Sequence, residues 1–366
     1  MKTIRRLIYR EQLTAVGFVT LGFLALFFFF DFVDELSDIG KYGAAGYQLT
    51  HALLYVTLLV PNHLYELLPI TLLIGTIFVM ARFAQSSEYT ILRTSGLGPW
   101  RALGTLVTLG LGFVLLTFAV GDYVAPASDR MAQLLKARYQ GRITIGQTGA
   151  WLKEGQREHS YAVNVAALTP DGQMQGVRIF EFDGRNTLRS ALQANGARFA
   201  SGGWELDGVQ RTIYRHAGDE ASVQRERLPT VQWPTGITYE MVTTALLKPD
   251  RMRTIDLFQY IQHLNANQQS AQRFEIEFWR KVFYPISCVV MVVLALPFAY
   301  LHFRNTGIAG YVFGGVMAGI SFFLLNNVFG YIGNLQNWQP WLTAAAPGLI
   351  YSAISLGAFG WLVLRR

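Results

Sequence analysis

Residues 12–30, QLTAVGFVTLGFLALFFFF, contain no Asp, Glu, Lys or Arg. A hydrocarbon core about 30 Å thick takes roughly 20 residues of helix to cross, because backbone polar groups cannot be left unsatisfied in lipid. The stretch therefore reads as a membrane span. It is too long for the apolar part of a cleavable leader, and no small-residue cleavage site follows it, so it is expected to stay as an anchor. Ala102 to Gly121 and Val282 to Leu301 are charge-free in the same way. Asn305 to Leu364 is also free of charge, and the polar, turn-like run Gly330 to Pro340 divides it in two. A weaker span lies between Glu66 and Arg82. It is expected to begin near Pro69, after an amphipathic approach from Leu53 to Leu68 that carries Pro61, His63 and Glu66.

Six spans result, three before and three after a middle region of ordinary soluble composition. The short flanks differ in charge. Lys2, Arg5, Arg6, Arg10, Arg82, Arg93, Arg101, Arg304, Arg365 and Arg366 stand on one side against Glu11 and Glu88. The opposite loops carry Asp31, Asp34, Glu35 and Asp38 with Lys41 alone, and the segment from Gly330 to Trp341 is uncharged. A positive excess marks the cytoplasmic side, which places both termini there. The net charge of +7 is mostly this topological signal, since Asp122 to Lys281 holds 20 basic against 17 acidic residues and no basic patch that would suit a nucleic acid. The lone cysteine, Cys288, falls inside the fourth span and excludes internal disulfides and zinc clusters.

From about Ser128 to Gln272 the pattern changes to short alternating segments. Asp171-Gly172, Asp183-Gly184 and Asp207-Gly208 are hairpin-type turn dipeptides. Tyr161, Val163 and Val165 alternate with polar or small neighbours, as do Phe180 and Phe182, and Leu188 to Asn195, Ala197 to Ser201 and Val209 to Arg215 continue the series. Period two means one packed and one wet face. The expectation is an all-β, jelly-roll-like domain of two sheets. A helical return closes it, with Ile255, Phe258, Ile261 and Leu264 on one face, and Pro285 and Pro297 predict kinks in the fourth span. The fold class is thus an α-helical polytopic membrane protein with an inserted β domain. Residues 1–127 hold the first three spans, 128–272 the β domain, and 273–366 the last three.

The loop after the second span reads AQSSEYTILRTSGLGPW over 84–100. Ser86 or Ser87 caps a short helix with Glu88 in its first turn, Ile91 and Leu92 give it an apolar face, and Gly96 and Pro99 stop it. It either rests on the membrane surface or inserts into a cytoplasmic partner. No GxxxxGK[ST] phosphate loop is present, the six histidines lack metal-ligand spacing, and no Ser or Cys sits in a nucleophile motif. An enzyme is not indicated, and any ATP must be hydrolysed elsewhere. Gly310, Gly314, Gly315 and Gly319 in the fifth span, with Gly104, Gly110 and Gly112 in the third, suit close helix packing, either internal or against a partner. His63 and Glu66 are ionisable near a span end, where reaching water costs little.

Over essentially its full length the chain resembles the LptF/LptG family of lipopolysaccharide export permeases. Phe32-Val33-Asp34-Glu35-Leu36 is similar to the FVD-x-L of the family's LptG branch, and Ser87-Glu88 through Thr94-Ser95-Gly96 looks like its SE(x6)SG coupling helix. Gly121-Asp122-Tyr123-Val124-Ala125-Pro126 resembles the family's exit from the third span, and Arg273, Trp279, Lys281 and Pro285 its entry to the fourth. The first of these matches and the short C-terminus are more similar to the LptG branch than to LptF. The resemblance implies a half-transporter that pairs with LptF, is driven by two copies of the ATPase LptB, which use ATP and magnesium, and delivers lipid to LptC and a periplasmic bridge. No cofactor is implied for this chain.

By the same resemblance Ser87, Glu88, Ile91, Leu92 and Arg93 would couple to the ATPase. The first and fifth spans would line a gate, through Phe23, Leu26, Phe29, Asp31, Asp34, Lys41, Phe322, Phe323 and Phe329. Tyr161, Val163, Val165, Phe180 and Phe182 would line a lipid groove in the β domain. One departure stands out: the outer end of the first span is acidic where relatives can be basic, so phosphate recognition there would fall to a partner or to bridging divalent ions. The competing class is an FtsX-like scaffold that relays ATPase motion without moving lipid; the six-span count and an apolar groove in the β domain discriminate, and a filled core with no lipid crosslinking would favour the scaffold.

Overall fold

The computed structural model describes residues 2–86, 88–140, 149–156, 159–169, 171–185, 187–200, 202–217, 220–245, 249–300 and 308–364. Ser87, Arg304, Arg365 and Arg366 lie outside the described residues. The chain divides into two compact units. One comprises Met1–Glu35, Val56–Ser128 and Glu275–Arg366, and the other Leu36–Tyr55 and Asp129–Phe274.

The first unit is a helical bundle. Among the described residues five helices are long and apolar enough to cross a membrane, or six when a bent pair counts as one span. Helix α1 (Lys2–Tyr42) extends the charge-free stretch at both ends, and its 41 residues reach about 60 Å at 1.5 Å per residue. Helix α2 (Leu49–Gln85) runs unbroken through Pro61 and Pro69, so the amphipathic approach and the span are one helix. Near each proline a side chain from another span donates to an α2 carbonyl, Ser128 to Leu58 and Tyr284 to Glu66. Such donors satisfy backbone groups that prolines disturb inside lipid. Every residue from Leu67 to Ile77 is buried, so α2 is apolar on all sides because it is surrounded by protein.

A short helix α3 (Glu88–Thr94) follows and ends at Gly96, whose φ of 96° suits a residue without Cβ. Helix α4 (Pro99–Ala119) passes through a π-helical turn, Val120–Val124, into α5 (Ala125–Gln140). The fourth span is the bent pair α8 (Gln272–Phe283) and α9 (Ser287–Ala295, extended to Tyr300 by a 3-10 turn), with a 49° bend at Pro285 as the sequence predicts. Helices α10 (Ile308–Leu335) and α11 (Pro340–Ala358) complete the bundle. Gly315 and Gly319 of α10 press on α2, where an added methyl would meet Ile77 at 2.7 Å and Ile70 at 2.6 Å. That contact is internal packing, while Gly314 faces open space.

The second unit holds six strands: β1 (Ala150–Gln156), β2 (His159–Leu168), β3 (Met174–Asp183), β4 (Leu188–Ala200), β5 (Gly203–Ala217) and β6 (Glu220–Trp233). They form one antiparallel sheet in sequential order, not the two sheets expected. The ladder skips one line across the sheet, where Ala166, Gly176, Asn195, Gly208 and Pro229 stand opposite one another. Gly176 and Gly208 have φ of 62° and 63° and Pro229 has no N–H to pair, which creases the sheet. In β4 the buried positions step from Ser190, Leu192 and Ala194 to Ala197 across this line. Neighbouring strands lie about 4.8 Å apart, so β2 and β6 would be roughly 19 Å apart in a flat sheet. Tyr161 of β2 instead meets Trp233 of β6 edge-on at 5.6 Å, so the sheet folds over itself and supplies both of its own layers.

Two local expectations fail. Asp207-Gly208 is no hairpin turn but part of the crease within β5, which runs on from Gly203 to Ala217. In α7 (Thr254–Ala266) the buried face is Leu257, Tyr260 and Leu264, and Ile255 and Phe258 are exposed. Helix α6 (Tyr239–Ala245) sits beside the fold, where Tyr239 packs edge-on against Phe199 at 5.3 Å.

Candidate coupling and lipid-contact sites

Helix α3 is pinned by Leu92 and by Tyr89, which its sequence did not single out. Tyr89 and Leu92 turn into the bundle core, and the Tyr89 hydroxyl donates to that of Tyr300 at 3.1 Å. Burial pushes the Tyr89 phenol well above its ordinary value, with Tyr300 adding to the effect. The Arg93 guanidinium lies 5.2 Å from the Tyr300 ring centre, a cation–π contact. Leu92 is therefore an anchor and not a docking surface, which corrects its place in the coupling set. Glu88, Arg93 and Ile91, the last 63% exposed, face outward. The Tyr89–Tyr300 contact joins positions 211 residues apart, so no local pattern could have revealed it.

Two carboxylates at the acidic end of α1 meet basic side chains within the chain. Asp31 pairs with His63 of α2 at 2.6 Å, and Phe27 stacks on the His63 ring at 4.9 Å. His63 is thus a partner of α1. In the second unit Asp38 pairs with Lys136 of α5 at 2.8 Å and with Lys41 at 3.4 Å, so Lys41 has company the sequence did not show. Glu35 is buried and Asp34 exposed.

The gate set separates into two kinds. Leu26 and Phe29 of α1 and Phe323 of α10 are exposed, and Phe23 and Phe329 half-buried. Phe322 is 1% exposed, between Tyr284 and Tyr351, and belongs to the core; one helical step turns it away from Phe323. It cannot line an open cavity.

The groove set also divides. Tyr161, Val163 and Val165 stand opposite Glu181, Ile179 and Val177, whereas Phe180 and Phe182 stand opposite Ala162 and Ser160 and so point to the other face. Val163 and Val165 are 0% exposed, so they fill the interior of the folded sheet. The accessible end of that interior carries half-buried Tyr161, Arg211 and Ile213. Burial raises the Tyr161 phenol, and the carboxylates of Glu181 and Glu154 add to this.

The two short matches around the third and fourth spans meet in space. The Lys281 ammonium, buried, donates to the Gly121 carbonyl at 3.0 Å and lies 5.8 Å from the Tyr65 ring centre. The π-helical turn at Val120–Val124 precedes Pro126, which lacks an N–H, and such turns leave carbonyls for other donors. A family model described as "Lipopolysaccharide export system permease LptF/LptG" matches residues 6–365. The chain belongs to the LptF/LptG family. The LptG permease protein of Escherichia coli K12 is 27% identical over 339 residues, covering 92% of this chain and 90% of that protein. That of Haemophilus influenzae is 25% identical over 370 residues, covering 100% and 99%. The Lys281–Gly121 bond thus links two of the four stretches that resemble the LptF/LptG family. Among the described residues no cluster of His, Cys, Asp and Glu could hold a metal ion.

Proposed function

We propose that this chain is the LptG-like half of an ABC-type exporter in the bacterial inner membrane, pairing with LptF and powered by an LptB dimer docked on α3. Both termini are cytoplasmic and the β domain periplasmic in this reading. Lipopolysaccharide leaves the outer leaflet, enters a cavity bordered by Leu26, Phe29 and Phe323, and passes by the β domain to LptC and the bridge. The acyl chains set the energetic problem. At about 0.8 kcal/mol per methylene, moving several chains out of lipid costs on the order of tens of kcal/mol unless apolar walls receive them.

The observation that carries the reading is the construction of α3. Its inner face is locked to the fourth span through Tyr89, Leu92 and Tyr300, while Glu88 and Ile91 project outward. A push on α3 is thereby a push on the bundle. Ile91→Asp and Glu88→Ala are expected to uncouple partner ATPase activity from lipid release with the fold intact. Unchanged ATPase activity, assembly and lipid release in both variants would refute the assignment.

The scaffold reading has one observation in its favour, the filled interior at Val163 and Val165. Photocrosslinkers at Phe29, Phe323 and Tyr161, with and without ATP, separate the two: capture of lipopolysaccharide at Tyr161 only with ATP supports transport, and no capture at any site supports the scaffold.

A further inference from the structure

We propose that the groove between the first turns of α1 and the start of α4 binds the phosphate headgroup of an anionic phospholipid. Two adjoining cavities, of about 650 and 340 Å³, share Arg5 as a common wall. Arg6 and Arg10, like Arg5 on α1, line the larger and Arg101 of α4 the smaller, and among the described residues neither cavity has an Asp or Glu in its wall. The nearest acid in the sequence, Glu11, pairs with Arg82 at 2.5 Å.

Arg5 is held in place. Its Nη2 donates to the Tyr9 hydroxyl at 3.1 Å, and that hydroxyl donates to the Thr105 carbonyl of α4 at 3.3 Å. Arg101 donates to the Gly96 carbonyl at 3.1 Å. A guanidinium fixed in this way presents a planar fork that matches phosphate oxygens two at a time. Topology alone requires positive charge at this end but no concave site.

The walls next to the arginines identify the source of the phosphate. Leu13 borders the larger cavity and Gly104 the smaller, and a methyl on Gly104 would meet nothing within 4 Å. That opening leaves room for an acyl chain directly beside the charge, and Trp100, largely exposed, stands next to Arg101 as an interfacial residue does. A free phosphate would make no use of the apolar wall. This site goes beyond the transport reading, because in the proposed orientation it lies in the cytoplasmic leaflet, opposite the one that supplies the substrate.

The test uses the full chain in nanodiscs of phosphatidylcholine with a minor fraction of phosphatidylglycerol, read by native mass spectrometry. Retained phosphatidylglycerol on the wild type is expected. R5Q/R101Q and R6Q/R10Q should each weaken retention, roughly fivefold per arginine removed. G104L should weaken it with the charge unchanged, and R253Q should match the wild type. Melting temperatures identify any variant that misfolds, and G104L keeps the test decisive if the arginine variants do. Wild-type retention in R6Q/R10Q and G104L, equal retention of phosphatidylcholine, or displacement by inorganic phosphate alone would each overturn the proposal.

Discussion

Helices α1 and α2 both qualify as spans, yet they are opposites. The most apolar 18-residue window of α1 is 11% buried, and that of α2 is 83% buried. The stronger span by sequence is the outer one, and the weaker, with two prolines, His63 and Glu66, is the centre of the bundle. A lipid-facing helix must be uniformly apolar because nothing in lipid can satisfy a polar group. A helix inside protein can carry polar side chains and prolines, because neighbours supply the partners. In this family member, irregular composition in a span therefore marks the bundle centre.

The contrast can be broken most severely at the contact between the two helices. A methyl on Gly75 of α2 would meet the Val16 backbone at 2.9 Å, whereas Gly17 of α1 faces open space. Gly75→Leu is expected to prevent assembly of the bundle, judged by loss of a monodisperse peak in detergent, and Gly17→Leu to leave it intact. Equal behaviour would remove the distinction. Next in size, Leu72→Ala in the fully buried segment should cost about 2–5 kcal/mol in an unfolding titration, and Leu21→Ala on the exposed face of α1 well under about 1 kcal/mol.

Smaller effects test how α1 is held. The Glu11–Arg82 pair is partly exposed, so a double-mutant cycle with Glu11→Gln and Arg82→Gln should give about 1 kcal/mol or less. A much larger value would make it a principal clamp. The buried Thr20–Thr71 hydrogen bond, 2.9 Å long, should give a coupling near 0.6 kcal/mol with valine at both positions. A value of zero would leave packing at Gly75 as the whole of the contact.

Much of the candidate site was legible in short stretches. The stop at Gly96 and Pro99, Glu88 in the first turn of α3 and the kink at Pro285 follow from local chemistry, and the structure has them at those residues. Side-chain direction was legible only where one period held throughout. It failed in part of α7, where Ile255 and Phe258 of the expected stripe are exposed and Leu257 and Tyr260 are buried with Leu264, because both stripes satisfy helical spacing. It failed again at Phe322 and Phe323, since the apolar fifth span has no polar face to break the symmetry.

By itself, the sequence determined that the chain crosses a membrane repeatedly, that a β domain interrupts the spans, and that α3 lies between two of them. These depend on run length, period and turn residues, all of which are local. Tertiary structure alone decided which span is central, that Asp31 is answered by His63 and Asp38 by Lys136, and that one sheet creases at Gly176 and Gly208 to form two layers. Each of these depends on residues far apart in the chain meeting across a gap, and the energy of such a meeting is not written in either partner's neighbours.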